Sequence, residues 1–256
     1  MKVVILAGGY GSRLAEETNS IPKPMVEIGG KPILWHIMKT YSAYGFNEFI
    51  ICLGYKGYVI KEYFKNYLPH HSDFSINLAD GKINYLKEES EDWKVTLVDT
   101  GSDVMTGGRL KRVSHLIDDD IFCFTYGDGV GDINIPELVK FHEKHQKLAT
   151  MTVACPPGRF GVVQLDGDSV LSFEEKPKQQ DAWVNAGFFI LSRSTLEHID
   201  GDDTSWEQAP LEKLANINEL AAFRHNSFWQ PMDTLRDRNH LETLWKSNNA
   251  KWKVWE

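Results

Sequence analysis

The stretch Leu6–Met25, LAGGYGSRLAEETNSIPKPM, carries three glycines and one arginine and ends at a Pro-Lys-Pro corner. The run that leads into it, VVILAG over 3–8, is continuously apolar rather than alternating, which predicts a strand buried on both faces, as in a parallel sheet. A glycine-rich turn directly after such a strand lies where open α/β sheets bind ligands. Gly8, Gly9 and Gly11 let backbone N–H groups approach an anion closely. Two common phosphate loops are excluded. A Walker A loop needs Gly-Lys-Ser/Thr, and here Gly11 is followed by Ser12 and Arg13. A dinucleotide fingerprint needs a third glycine where Leu14 stands, and an acid at the end of a second strand that instead ends LGYKG. What remains is G-G-x-G-S-R-L, with Pro22-Lys23-Pro24 centred ten residues past the arginine. Arg13 offers a planar fork suited to two phosphate oxygens, and Lys23 a point charge.

Similar apolar runs recur at 49–55 (FIICLGY), 121–128 (IFCFTYGD) and 149–155 (ATMTVAC), with helical patterns between them. In 32–45 the spacing of Ile33, Ile37, Tyr41 and Tyr44, with Pro32 at one end and Gly45 at the other, predicts a helix. A second helix is expected over 58–68 and a third from Asn134, with Pro136 in its first turn. Asp80-Gly81 and Asp166-Gly167 predict hairpins over 73–86 and 160–177. These are expected to add antiparallel strands to the sheet and to wall a pocket, and 183–192 reads as one further strand. The expected fold is α/β: a Rossmann-like, open, mixed and mostly parallel sheet with antiparallel hairpin additions. A single domain spans 1–256 in this reading, with a sugar-binding hairpin region at about 160–192 and a helical C-terminal segment at about 233–256.

The 256 residues carry 28 Lys+Arg against 36 Asp+Glu, a net charge of −8, which argues against nucleic-acid or anionic-membrane binding. Phosphate-bearing partners must be held by a few local cations. The three cysteines show no CxxC spacing and read as buried, reduced thiols. The apolar run before Gly8 is too short for a signal peptide or a membrane span, so a cytoplasmic location is expected. Trp245, Trp252 and Trp255 near the C-terminus read as packing or as a subunit interface, hence an expected homo-oligomer.

Three further stretches bear on chemistry. Gly127 and Gly129 flank Asp128 and expose its carboxylate at a strand end, as an Mg²⁺ site touching substrate phosphates requires; a plain turn aspartate is the alternative. Asp233 reads equally as a helix N-cap. Thr106-Gly107-Gly108 is expected to precede a short basic helix, leaving free N–H donors at its positive end. Charged FEEKP at 173–177 and VNAG at 184–187 also read as an ordinary hairpin end and a strand with a packing glycine.

LAGGYGSRL followed by Lys23-Pro24 resembles the signature of the sugar-1-phosphate nucleotidyltransferases, and the continuation over 20–57 looks closest to the glucose-1-phosphate cytidylyltransferases. The similarity runs over essentially the whole chain. Thymidylyltransferase relatives usually carry Lys-Gln where Lys23-Pro24 stands. The resemblance implies the substrates CTP and glucose 1-phosphate, Mg²⁺ as cofactor, and CDP-glucose, which commonly feeds dideoxysugars of surface polysaccharides. It implies catalytic roles for Arg13, Lys23 and Asp128, and magnesium on Asp128 and Asp233. Leu6, Ala7, Gly8, Gly9, Tyr10, Gly11, Ser12, Tyr126 and Gly127 would line the substrate site. Thr106, Gly107 and Arg109 would lie by the base or triphosphate. Glu175 and Asn185 would bond sugar hydroxyls, Lys176 the sugar phosphate, and Gly187 would let the sugar ring lie on the strand. UTP- or dTTP-dependent chemistry, a non-catalytic binding relative and a metal-dependent glycosyltransferase are the competing readings.

Overall fold

The computed structural model describes residues 1–11, 14–18, 20–87, 90–156, 162–166, 169–174 and 183–255. The opening apolar run forms β1 (Val3–Ala7) at the middle of a seven-stranded sheet. The other strands are β2 (Glu48–Leu53), β3 (Lys94–Asp99), β4 (Ile121–Tyr126), β5 (Ala149–Ala154), β6 (Val184–Ser192) and β7 (Leu220–His225). Their order is β7-β5-β6-β4-β1-β2-β3, and all run parallel except β6, which opposes both of its neighbours.

The continuous hydrophobicity has a simple cause. Val3, Ile5 and Ala7 of β1 and Phe49, Ile51 and Leu53 of β2 join one core cluster, while Val4, Leu6, Ile50 and Cys52 join another. Both faces of the sheet are covered, so neither set of alternate positions can be polar. The first face takes α1 (Ile33–Ser42), the second takes α3 (Thr106–Arg112), and between these in sequence runs α2 (Gly57–Lys65). Further along come α4 (Ile135–His145), α5 (Ala209–Asn216) and α6 (Leu235–Lys246). Pro32 stands at the N-cap of α1, and Gly45, with φ +83, follows its last turn. Asn134 caps α4 by accepting the Glu137 N–H at 3.1 Å. The expected helix over 58–68 is interrupted at Asn66 and continues as a separate turn, Tyr67–His71.

The hairpin expectation needs correction. Asp73–Asn77 pairs with Lys82–Lys87, and Val162–Asp166 with Ser169–Glu174, but each pair makes its own two-stranded sheet. The main sheet ends in β3 and β7, and neither hairpin pairs with these edge strands. The residues of the first hairpin are almost all exposed, and they wall neither of the cavities described below.

The aromatic tail packs on this chain, the first of the two readings of its tryptophans. Trp252 is fully buried in this chain's own core, stacks on Phe228 with centroids 5.5 Å apart, and donates its indole N–H to His36 Nδ1 at 3.3 Å. His36 in turn meets the Ile28 carbonyl through Nε2 at 2.8 Å, and burial pushes its pKa down to about 4. Trp245 and Trp255 are half-buried. Cys52 and Cys123 are buried as expected, whereas Cys155 is half-buried. Among the described residues, no helix is long and apolar enough to cross a membrane.

Candidate active site

Chain order reverses at β1, whose neighbours are β2 and β4, and such a switch point opens a crevice beyond the carboxyl ends of the strands. A cavity of about 670 Å³ lies there, lined by Leu6–Gly11, Lys23, Pro24, Ser102–Thr106, Arg109, Tyr126–Asp128 and Glu207. A smaller one of about 220 Å³ shares Tyr126 and Asp128 with it and adds Gly129, Asn185, Ala186, Phe188, Trp229, Pro231 and Asp233. Most of the residues singled out in the sequence thus converge on one place. Gly107 and Gly187 line neither cavity. Ser12, Arg13, Glu175 and Lys176 lie outside the described residues.

At the border of the two cavities, Lys23 Nζ donates to Asp128 Oδ2 at 2.7 Å and to Asp233 Oδ1 at 2.8 Å. Proline-flanked Lys23 begins a buried 3₁₀ turn closed by the Met25 N–H on the Pro22 carbonyl at 2.8 Å, which aims its side chain from a rigid base. Asp128 follows β4 directly. Asp233, distant in sequence, is brought alongside by the antiparallel pairing of Gly129–Gly131 with Trp229–Pro231 and by the Met232 N–H on the Asp128 carbonyl at 2.8 Å. Asp233 is not the helix N-cap. Thr234 fills that position in a capping box with Asp237, which leaves the Asp233 carboxylate for Lys23. Burial pushes the Lys23 ammonium down, but Asp128 and Asp233 more than offset this, and its pKa ends above the usual lysine value. Two oxygen-donor carboxylates from separate segments therefore converge on one cationic centre beside the large cavity. Such a donor set suits Mg²⁺, which takes one or two carboxylates plus substrate phosphates.

Arg109 lines the large cavity, and its side chain also has a structural task. It is 4% exposed. Its guanidinium donates to the carbonyls of Leu53 (3.0 Å), Gly101 (2.7 Å), Gly8 (3.2 Å) and Ser102 (3.1 Å) and to Thr100 Oγ1 (2.9 Å). It ties the glycine loop after β1 to the ends of β2 and β3. Gly8 has to be glycine for this, because a Cβ there would lie 2.1 Å from the guanidinium.

The Thr106-Gly107-Gly108 reading is likewise corrected. These residues are inside α3 rather than before it, and Gly107 and Gly108 donate their N–H groups to the Thr204 carbonyl at 2.9 and 3.2 Å. The N–H groups of both glycines are thereby taken by the protein itself. The glycines permit contact with the 202–206 segment, since a Cβ on either would come within 2.7 Å of a backbone oxygen. Thr106 donates to Glu207 Oε2 at 2.6 Å and accepts the Trp206 N–H at 2.8 Å.

On the smaller cavity's wall, Asn185 donates to the Tyr126 hydroxyl at 3.2 Å and accepts the Gly187 N–H at 2.8 Å. Gly187 adopts φ +78, and a Cβ there would strike the Tyr126 ring at 2.6 Å. The glycine is thus explained by the backbone and by Tyr126, with no need of a sugar ring above it. At the mouth of the large cavity, Tyr10 donates to Asp103 Oδ1 at 2.8 Å. Sequence reasoning missed Asp103, Trp229 and Glu207, which lie in stretches without a recognisable spacing.

The nucleotidyl transferase family model matches residues 2–246. The chain is 58% identical to the glucose-1-phosphate cytidylyltransferase of Salmonella typhi, with all of both chains covered. It is 42% identical to a probable glucose-1-phosphate cytidylyltransferase of Bacillus subtilis, again over the whole of both. Among solved structures, HddC from Yersinia pseudotuberculosis superposes with a TM-score of 0.69 at 25% identity, covering 95% of this chain and 99% of that one.

Proposed function

Because the chain belongs to the nucleotidyl transferase family, we propose that it transfers the cytidylyl group of CTP to glucose 1-phosphate, giving CDP-glucose and pyrophosphate. The observation that carries this reading is the end-to-end 58% identity to a glucose-1-phosphate cytidylyltransferase. The arrangement of the two cavities around Lys23, Asp128 and Asp233 supports it.

A phosphate oxygen of the sugar phosphate attacks the α-phosphorus of CTP. The new P–O bond forms as the bond to the bridging oxygen of the β-phosphate breaks, and pyrophosphate leaves with the electron pair. The attacking oxygen is already anionic at neutral pH, so the chain need supply no general base. Alignment and charge neutralisation do the work instead. The larger cavity, bordered by the glycine loop, takes the nucleotide, and the smaller one, bordered by Asn185, takes the hexose. Lys23 stands between them and neutralises phosphate charge where the bond is exchanged. Asp128 and Asp233 would hold Mg²⁺, whose chemistry here is to neutralise nucleotide phosphate oxygens. Arg109 keeps the loop in place from beneath. Arg13 is assigned to the departing pyrophosphate, Lys176 to the sugar phosphate and Glu175 to sugar hydroxyls.

The test is pyrophosphate release from glucose 1-phosphate with Mg²⁺ and, in turn, CTP, UTP, dTTP, ATP and GTP. A clear preference for CTP is expected. Preference for UTP or dTTP would keep the chemistry and overturn the base assignment. Folded protein that releases nothing with any of the five would overturn the substrate pair.

A further inference from the structure

Trp229, Pro231 and Asp233 are alternate residues of one segment, and all three line the smaller cavity. Gly131 pairs opposite Trp229 and Gly129 opposite Pro231, so the partner strand sets no side chain beside them on that face. Trp229 is half-buried, and its orientation is fixed because the indole N–H donates to the Ala186 carbonyl at 2.8 Å, on the wall of the same cavity. A tryptophan has no other hydrogen-bonding group on its side chain. With that donor used by the protein, Trp229 presents only aromatic carbon to an occupant of the cavity. Polar groups come from elsewhere on the lining: from Asp128 and Asp233 beside Lys23, and from Asn185, whose amide has more donors and lone pairs than its bonds to Tyr126 and Gly187 use.

The cavity is thus amphipathic, and so is a pyranose ring. In the α anomer of glucose 1-phosphate every ring substituent except the phosphate is equatorial, so hydroxyls surround the edge and C–H groups cover the faces. The axial phosphate projects from one face, and that face turns to Lys23, where phosphate charge is neutralised. The other face is left for the apolar wall. We propose that Trp229 is a specificity-determining residue, a flat apolar platform for the face of the hexose opposite the phosphate. This rests on the reading that the smaller cavity takes the hexose. Its consequence is a choice among epimers. O2 of mannose and O4 of galactose are axial on the platform face, and either is pressed against the indole with no partner to replace its water. The negative face of an aromatic ring favours C–H groups over a hydroxyl oxygen as well.

Steady-state kinetics of the wild type, Trp229→Phe and Trp229→Leu test this, with CTP and, in turn, the 1-phosphates of glucose, galactose and mannose. Phenylalanine keeps a ring without the N–H, and leucine keeps apolar bulk without a flat face. In Trp229→Leu, KM for glucose 1-phosphate should rise about tenfold with KM for CTP unchanged, and the preference for glucose over both epimers should narrow by a similar factor. Trp229→Phe should stay within about threefold of the wild type. Phenylalanine as damaging as leucine would reduce Trp229 to its bond with Ala186, and equal losses with all three sugars would reduce it to a structural part. Either overturns the inference, as does a rise in KM for CTP in place of the sugar. The wild type is a test by itself should the leucine protein misfold: galactose or mannose 1-phosphate used as efficiently as glucose 1-phosphate overturns the platform. Wild-type protein inactive with glucose 1-phosphate would overturn the functional reading and this inference with it. Active wild type with indifferent variants would overturn this inference alone.

Discussion

Arg109→Met removes five hydrogen bonds from beneath the glycine loop while keeping a buried stem of similar length. Not every acceptor is orphaned. The Leu53 carbonyl keeps the Thr100 N–H at 2.9 Å and its hydroxyl at 2.6 Å, and the Gly8 carbonyl keeps the Tyr55 N–H at 3.2 Å. The Gly101 and Ser102 carbonyls are bonded in partly buried surroundings, where water can replace the guanidinium. Each lost bond then costs roughly 0.5–1.5 kcal/mol net. Against this, burial lowers the pKa of Arg109, so its charge is held at some expense, which methionine does not incur. The balance is a loss of about 3 kcal/mol, or roughly 6–12 °C in Tm for a chain of this size. Thermal and urea unfolding measure it, alongside KM for CTP. A variant with Tm within about 2 °C of wild type but KM for CTP raised tenfold or more would refute the scaffold role and put the guanidinium on the nucleotide.

Asp128→Asn should lower turnover by about 100-fold or more, with unfolding free energy changed by under ~1 kcal/mol, because Lys23 keeps Asp233; near-normal turnover would remove Asp128 from the centre. His36 and His142 both titrate near 4 in the folded chain because burial disfavours their charged forms. The unfolded chain binds protons at these sites from about pH 6.5 downward, so stability should fall as pH drops from there to about 4, by up to ~1.4 kcal/mol per pH unit for each histidine; an unfolding free energy flat between pH 7 and 5 would contradict this. Trp252→Ala should cost about 3–5 kcal/mol with oligomeric state unchanged; a variant of normal stability that dissociates in sedimentation would make the aromatic tail an interface after all.

What the sequence disclosed about the fold follows the range of the forces involved. β1, β2, β4 and β5 were legible because burial on both faces leaves a continuous apolar run. β3 (KVTLVD) and β7 (LAAFRH) escaped because edge strands face solvent in part, and their burial is mixed along the strand. The Asp80-Gly81 turn was readable from local chemistry, with Gly81 at φ +72, but a turn says nothing about which sheet its strands join. The glycine pair of α3 was misjudged for the same reason. A glycine pair at a helix start looks the same whether an anion or a protein segment approaches it, and what approaches is the 202–206 segment about a hundred residues away.

The candidate site shows the same division with a chemical consequence. Lys23, Asp128 and Asp233 could each be singled out from their own neighbours, but their union could not, since 105 and 210 residues separate Lys23 from its partners. Read singly, Lys23 is a free cation waiting for phosphate. In the structure it is already paired twice, and one ammonium with two carboxylates carries a net charge of −1. Glu207 adds a further negative charge to the same cavity. A triphosphate meeting this arrangement alone would be repelled, and Asp128 and Asp233 would hold a divalent cation whose chemistry is to supply the missing charge. Lys23, paired with both carboxylates in the structure, would then be available to the phosphates without an unpaired ammonium having been held in a buried position beforehand. Under the proposed function the carboxylates would thus have two uses, keeping the lysine charged and in place before the nucleotide binds and holding the cation afterwards, and either use would be lost on replacing an aspartate by a neutral residue of the same shape.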